Sequence, residues 1–280
     1  MVSETDKPRL EAEPPNGCSH EHQPKSEAGT QFDYEAIPAG YYDRVMREGN
    51  PIRRLWHVSK FERVLDYLPT DTDQSVLDMG CFAGTFLSLL PKDRFSRQLG
   101  VDILPAQIDY ANRTYGTAFR SFRHVPSITH LRTVDGSFDC VTLIEVIEHL
   151  QAVEIRDLFS ELARLIRPGG RLVLTTPNYT SSWPVLELIL NRLSDVSYEE
   201  QHITRFTYFN MARRLAELYP QFDAEFEVDL KTTTHFITPF LAGVSYEWAR
   251  SLSRIVPHTS WRMPFGNLVL MVLTRRGAGS

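Results

Sequence analysis

The 280-residue sequence predicts an α/β protein, a doubly wound and mostly parallel seven-stranded sheet with helices on both faces and a late antiparallel strand pair. Three observations carry that expectation. From Pro51 to Pro177, short buried apolar runs alternate with amphipathic helical patterns, the rhythm of strand–helix–strand units with parallel strands. The first run leads into "DMGCFAG", Asp78 to Gly84, a glycine turn that opens at once into an apolar helical stretch. Beyond Pro177 the alternation stops, and "FDAEFEVDL" and "GNLVLMVLTRR" read as a closing strand pair.

Each element has its own signal. In "PIRRLWHVSKFERVLDYLP", Leu55, Val58, Phe61, Val64, Leu65 and Leu68 share one helical stripe that Pro69 ends. "SVLDM" is the first strand and "TFLSLL" the helix after the turn. "QLGVDI" is a buried strand ending at Asp102, and "PAQIDYANRTY" a helix with Pro105 in its first turn. "FRSFRHV" gives a weaker third strand. "SFDCVTLIEVIEHL" reads as a fourth strand passing into "EVIEHL". The next helix, "AVEIRDLFSELARLI", turns Val153, Leu158, Leu162, Leu165 and Ile166 inward. "RPGG" stops it, and "RLVLTTP" is the fifth strand. "WPVLELILNRL" and "FNMARRLAELY" are helical. In "FLAGVSYEWARSLSRIV", Leu241, Val244, Trp248, Leu252 and Ile255 form one stripe opposite Glu247, Arg250 and Arg254. That stripe is expected to pack on the domain, with contact to a membrane surface as the alternative.

Composition narrows the function classes. A hydrophobic fraction of 42% supplies a sizeable core for one large domain. We therefore expect residues 1–30, polar, acidic and proline-bearing, to form a disordered tail, and residues 31–280 one domain. Within the tail, Cys18, His20 and His22 could bind metal, but a solvated tail is the favoured reading. The net charge of −5 argues against general nucleic-acid binding. Lys231, Arg250, Arg254, Arg262, Arg275 and Arg276 nonetheless face a single late acid, Glu247, so a local basic surface is compatible with the sequence. Cys18, Cys81 and Cys140 match neither a zinc knuckle nor a disulfide framework, which fits a reducing compartment. "MVSETDKPRLEAEPPNG" has no apolar core, and no uncharged apolar stretch nears the roughly 20 residues of a spanning helix. A soluble, cytoplasmic protein is the expectation.

The glycine turn raises a question of charge. Dinucleotide sites use G-x-G-x-x-G so that pyrophosphate can approach backbone N–H groups. Here Phe82 replaces the middle glycine and Asp78 stands close behind, which disfavours a phosphate ligand. S-adenosylmethionine has no phosphate and carries an ammonium and a sulfonium, so it suits a carboxylate at the end of the first strand. Asp102, at the end of the second strand, is placed to accept ribose hydroxyls, although dinucleotide sites use an acid there as well.

With "VLDMGCFAG", "LGVDILPAQIDYA", "GSFDCVTLIEVIEHL" and "RLIRPGGRLVLTTPN" in order, residues 50–230 resemble the class I, S-adenosylmethionine-dependent methyltransferases of Rossmann-like fold. The resemblance implies that Asp78, Gly80, Cys81, Phe82 and Gly84 hold the methionine end of the cofactor. Asp102 and Ile103 would take the ribose and adenine edge, and Glu145 would lie beneath the methionine part. The chain departs from the family at Phe82, which puts an aromatic face near the sulfonium. It departs again at Ser127, where the family often has an acid for the adenine amino group.

An oxygen acceptor also needs a proton removed. If "EVIEH" is helical, Glu145, Glu148 and His149 fall at i, i+3 and i+4 on one face. His202 follows the fifth strand and can return to the same edge. These four suit Mg²⁺, Mn²⁺ or Zn²⁺, and the pattern is similar to that of ubiquinone-pathway O-methyltransferases and of enzymes that methylate the terminal ribose of small RNAs. The metal-free reading is preferred, with the acid capping a helix and the histidine lining the acceptor pocket. In both readings His149 and His202 are the catalytic candidates near the acceptor.

Tyr41, Tyr42, Trp56 and His57 either close over the ligand or pack a helix. Trp183, Tyr198 and Phe206 either line the acceptor pocket or fill the core of their own segment. His235 and His258 are expected to be surface or packing residues. The apolar, aromatic insertions at about 177–205 and 231–265 suit a lid over a small or lipid-like acceptor bearing a hydroxyl. Metal-assisted RNA ribose 2′-O-methylation and a non-catalytic S-adenosylmethionine-binding scaffold are the competing expectations; the charge balance opposes nucleic acid as a partner.

Overall fold

Pattern and burial together place the strands. The computed structural model describes residues 34–71, 73–91, 94–192, 202–255 and 264–277, so the expected tail at 1–30, the Cys18 group, Tyr198 and His258 lie outside the described residues. In chain order the elements are α1 (Tyr41–Glu48), α2 (Pro51–Leu65), β1 (Gln74–Met79), α3 (Thr85–Ser88), β2 (Phe95–Asp102), α4 (Pro105–Tyr115), β3 (Arg120–His124), β4 (Phe138–Ile144), α5 (Ala152–Leu165) and β5 (Ile166–Pro177). They continue as α6 (Trp183–Arg192), α7 (Met211–Leu218), α8 (Phe222–Glu225), β6 (Phe226–Thr234), α9 (Thr238–Ala242), α10 (Tyr246–Ile255) and β7 (Leu268–Arg275). The sheet order is β3-β2-β1-β4-β5-β7-β6. β1 to β5 pair in parallel, and β7 runs antiparallel to both β5 and β6. The expected seven-stranded mixed sheet is therefore the observed one.

Topology fixes where a ligand can sit. β1 lies between β2 and β4, so the chain reverses its direction of winding at that strand, and a crevice opens at the carboxyl ends beside it. One apolar cluster, built on Phe138, Ile155, Phe159 and Leu162, covers one side of the sheet with α5 and α7. Another, built on Phe61, Val64, Phe86 and Ile108, covers it with α2, α3 and α4. Among the described residues no helix is long and apolar enough to cross a membrane.

Several local expectations change. β5 begins at Ile166 and runs through the Arg167–Gly170 stretch expected as a turn, and Phe222–Glu225 is a helical turn ahead of β6. α2 starts as expected, with Asn50 accepting from Ile52 N at 2.9 Å ahead of Pro51, but ends at Leu65, before the proline. The helix after the glycine turn is one turn long. In α5, Val153 is 49% exposed rather than inward. The Gln151–Glu154 capping box sets the phase so that Ile155 and Phe159 are buried with Leu158, Leu162 and Leu165. The 238–255 stretch breaks into α9 and α10, and its stripe does not pack inward. Val244 is 88% and Trp248 81% exposed, while Arg250 and Arg254 bind Glu62 of α2 at 3.2 and 2.9 Å. The small, buried Ala242 and Ala249 pack against Leu55 of α2, with Leu241 and Tyr246 partly buried beside them and Ser253 bonded to Ser59.

Candidate active site

The glycine turn is a rigid cradle. Gly80 and Gly84 have φ of 76° and 75°, and an added Cβ would meet Val146 and Phe122, each at 2.5 Å. Gly80 N and Cys81 N both donate to Val101 O, at 2.8 and 3.0 Å, tying the turn to β2. Phe82 takes φ of 47°, donates its N–H to Asp102 Oδ2 at 2.8 Å and holds its ring 4.8 Å from Tyr42. Tyr42 in turn meets His57 at 4.9 Å. Cys81 is buried, and burial pushes its thiol well above the ordinary range. Asp102 Oδ1 accepts Leu104 N at 3.0 Å, so two amides orient this carboxylate, with exposed Ile103 at the rim.

Behind the turn, Asp78 accepts from Thr142 Oγ1 at 2.6 Å. Burial pushes its pKa up to about 7; Thr142 opposes the shift, and nearby Asp102 adds to it. This is a carboxylate that gains from an incoming cation.

After β4 the chain does not form the expected helix. Glu145 has φ of 55°, and Ile147–His149 is a single 3₁₀ turn. Glu145 consequently points to α2, where its carboxylate accepts from Trp56 Nε1 at 3.0 Å and pairs with the buried Lys60 ammonium. Burial alone would raise its pKa, but Lys60 outweighs burial and holds the carboxyl below its ordinary value. As a correction to the expected four-residue set, the donor atoms within 4.8 Å of one another belong to Glu148, His149 and His202, without Glu145.

Glu148 is fully buried, and burial pushes its pKa up to about 7 against the charge of His202. His149 and His202 have ring centroids 5.2 Å apart, so the long sequence gap between them closes as expected. His202 Nδ1 lies 2.8 Å from Glu187 Oε1 and 2.7 Å from Tyr179 Oη. Burial lowers the His202 pKa, but the Glu187 hydrogen bond and the surrounding carboxylates reverse that and raise it. Trp183 stands 6.0 Å from His202 and 4.8 Å from Trp56, at the site, whereas Phe206 belongs to the main core. His235 is a packing residue on Trp56, 4.5 Å away, and burial pushes its pKa down to about 4.

Sequence reasoning missed Lys60, Glu187, Tyr179 and Tyr34. Arg53, His57 and Lys60 recur at helical spacing and are all buried, a polar face that the apolar stripe of α2 concealed. Glu187 left no comparable signal. Tyr34 Oη meets His149 Nδ1 at 3.0 Å from the far side.

Comparisons place this geometry among known proteins. A sequence family described as "Methyltransferase domain" matches residues 52–218. The chain is 33% identical over 114 residues to a 2-methyl-6-phytyl-1,4-hydroquinone methyltransferase of Synechocystis, covering 41% of this chain and 35% of the relative. It is 25% identical over 152 residues to a ubiquinone biosynthesis O-methyltransferase of Pseudomonas aeruginosa, covering 52% and 61%. The match thus spans between about a third and three fifths of these relatives' length. Among solved structures, the N-methyltransferase NodS of Bradyrhizobium japonicum in complex with S-adenosyl-L-homocysteine aligns with a TM-score of 0.50 at 16% identity, over 84% of this chain and 91% of that one, a likeness of fold.

Proposed function

This chain belongs to the methyltransferase-domain family, in its class I, S-adenosylmethionine-dependent form, and we propose that it moves the cofactor's methyl group to a hydroxyl of a small or lipid-like acceptor of phenolic or quinol character. Asp78 carries the cofactor half of this reading. A carboxyl raised by burial to about 7 is relieved when a cation arrives, and the methionine ammonium is that cation. Gly80, Cys81 and Gly84 would let the methionine end approach the turn, with Phe82 offering a ring face to the sulfonium. Asp102 would take the ribose hydroxyls beside Ile103, and Glu145 would face the methionine part.

The acceptor half rests on the two imidazoles and on the hydroquinone and ubiquinone enzymes among the relatives. In the transfer, the acceptor oxygen attacks the methyl carbon, the carbon–sulfur bond breaks, S-adenosylhomocysteine leaves and the hydroxyl proton passes to an imidazole. His202 suits that task, because Glu187 holds Nδ1–H and so leaves Nε2 as the basic nitrogen. Alignment of oxygen, methyl and sulfur supplies most of the acceleration, and a placed base adds about 10²–10⁴-fold. The donor atoms of Glu148, His149 and His202 also fit a divalent cation, which when bound would lower the pKa of the acceptor hydroxyl. The described parts of the segments at about 177–205 and 231–265 belong to this reading as an acceptor-side wall, with Trp183 beside His202 in support; residues 193–201 and 256–263 lie outside the described residues.

Purified protein incubated with methyl-labelled S-adenosylmethionine and catechol, hydroquinone and lipid extracts tests the whole reading. Label should move to a phenolic fraction, and failure with every acceptor would count against it. Asp78→Asn should weaken S-adenosylhomocysteine binding by about tenfold or more, the scale of one charge-assisted hydrogen bond.

A further inference from the structure

The protein brings a phenol of its own to the imidazole pair. We infer that Tyr34 is an internal stand-in for the acceptor, and that residues 34–40 form a strap whose Tyr34 end an incoming phenol must displace; this rests on the reading that the acceptor hydroxyl meets His149 and His202. The Tyr34 hydroxyl lies 3.0 Å from His149 Nδ1, and its ring meets the imidazole edge-on, with centroids 5.8 Å apart and planes at 82°. That is the hydrogen bond a phenolic acceptor would make to the same nitrogen.

The path of the strap shows why it governs entry. From Tyr34, beside the turn that follows β4, the chain runs to buried Gln107 on α4, the helix that follows β2. β2 and β4 flank β1, so the strap crosses the end of the strand that carries the glycine turn. Its Ile37–Gly40 part is tied to α4. Gln107 Nε2 donates to Ile37 O and Pro38 O at 3.1 and 3.2 Å, and Gly40 N donates to Gln107 Oε1 at 3.0 Å. Just downstream, Asp43 accepts from Tyr110 and Tyr115 at 2.9 and 2.5 Å and from Thr85. In the 3₁₀ turn Tyr34–Ala36, Tyr34 is half-buried while Glu35 and Ala36 are exposed. Displacement of Tyr34 would involve residues 34–36 and leave the part anchored by Gln107 in place.

A site filled by its own chain binds the competing ligand more weakly, by the fraction of time it stands open. The test is calorimetric binding of catechol to the full chain saturated with S-adenosylhomocysteine, for the parent, Tyr34→Ala and Tyr34→Phe. Tyr34→Ala should bind catechol about tenfold more tightly and Tyr34→Phe about threefold, with S-adenosylhomocysteine affinity unchanged within about twofold. In the parent, catechol should speed hydrogen exchange at residues 34–36 while Arg44 stays protected. Equal or weaker catechol binding by both variants, with the nucleoside still bound, overturns the strap. No catechol binding by any of the three proteins removes the phenolic-acceptor reading instead, and the strap with it. If Tyr34→Ala does not fold, Tyr34→Phe and the exchange data decide.

Discussion

Glu148 has no exposed surface, and burial lifts its pKa from 4.5 to about 7 despite the opposing charge of His202. Its folded-state value lies above the unfolded one, so the folded protein binds this proton more tightly and its contribution to stability is lost as pH rises from about 4.5 through 7. Glu148→Gln removes that loss. Its stability relative to the parent should grow with pH by on the order of 1–3 kcal/mol, as read from melts between about pH 5 and about pH 8. In the proposed transfer His202 would work in the opposite sense, since only the neutral ring accepts a proton and Glu187 keeps its pKa raised. Glu187→Gln should move the acidic limb of the rate profile to lower pH. It should also lower kcat by about tenfold or more, because the ring is no longer held in one tautomer. A profile that falls in height without moving would mean that Glu187 only packs.

At the scale of elements, α5 shows how one cap decides a face. With Gln151 and Glu154 closing the first turn, Phe159 is fully buried against Phe222 and Phe226, at 5.6 and 5.8 Å, while Val153 faces water. Phe159→Ala should cost about 3–5 kcal/mol in urea unfolding, and Val153→Thr under about 0.5 kcal/mol. The sheet was legible because its central strands β1, β4, β5 and β7 carry apolar runs, and the glycine turn because a carboxylate and a bulky Phe82 disfavour pyrophosphate. The one-face placement of Glu145, Glu148 and His149, conditional on a helix, does not arise because tertiary contact decides there: Lys60 and Trp56 hold Glu145, which takes a left-handed conformation that residue spacing does not encode. Lys60 itself was obscured because α2 is buried on its polar side as well as its apolar one. Pairing His149 with His202 succeeded, since strand topology alone returns both to one edge.

For the whole molecule, α10 lies on α2 through buried Ala249 and Ser253 and through ion pairs to Glu62, rather than through its apolar stripe. Arg250 and Arg254 grip Glu62, and this leaves Trp248 81% exposed while Trp56 and Trp183 lie buried 4.8 Å apart by the imidazoles. The indoles therefore report on different surroundings. In proteins that retain Trp248 as their one tryptophan, emission should sit near that of indole in water and be quenched by iodide. A version keeping only Trp56 and Trp183 should emit to the blue and resist iodide. Because Trp183 stands beside His202, the colour of that inner pair would, on the proposed reading, record cofactor and acceptor arriving, free of any label.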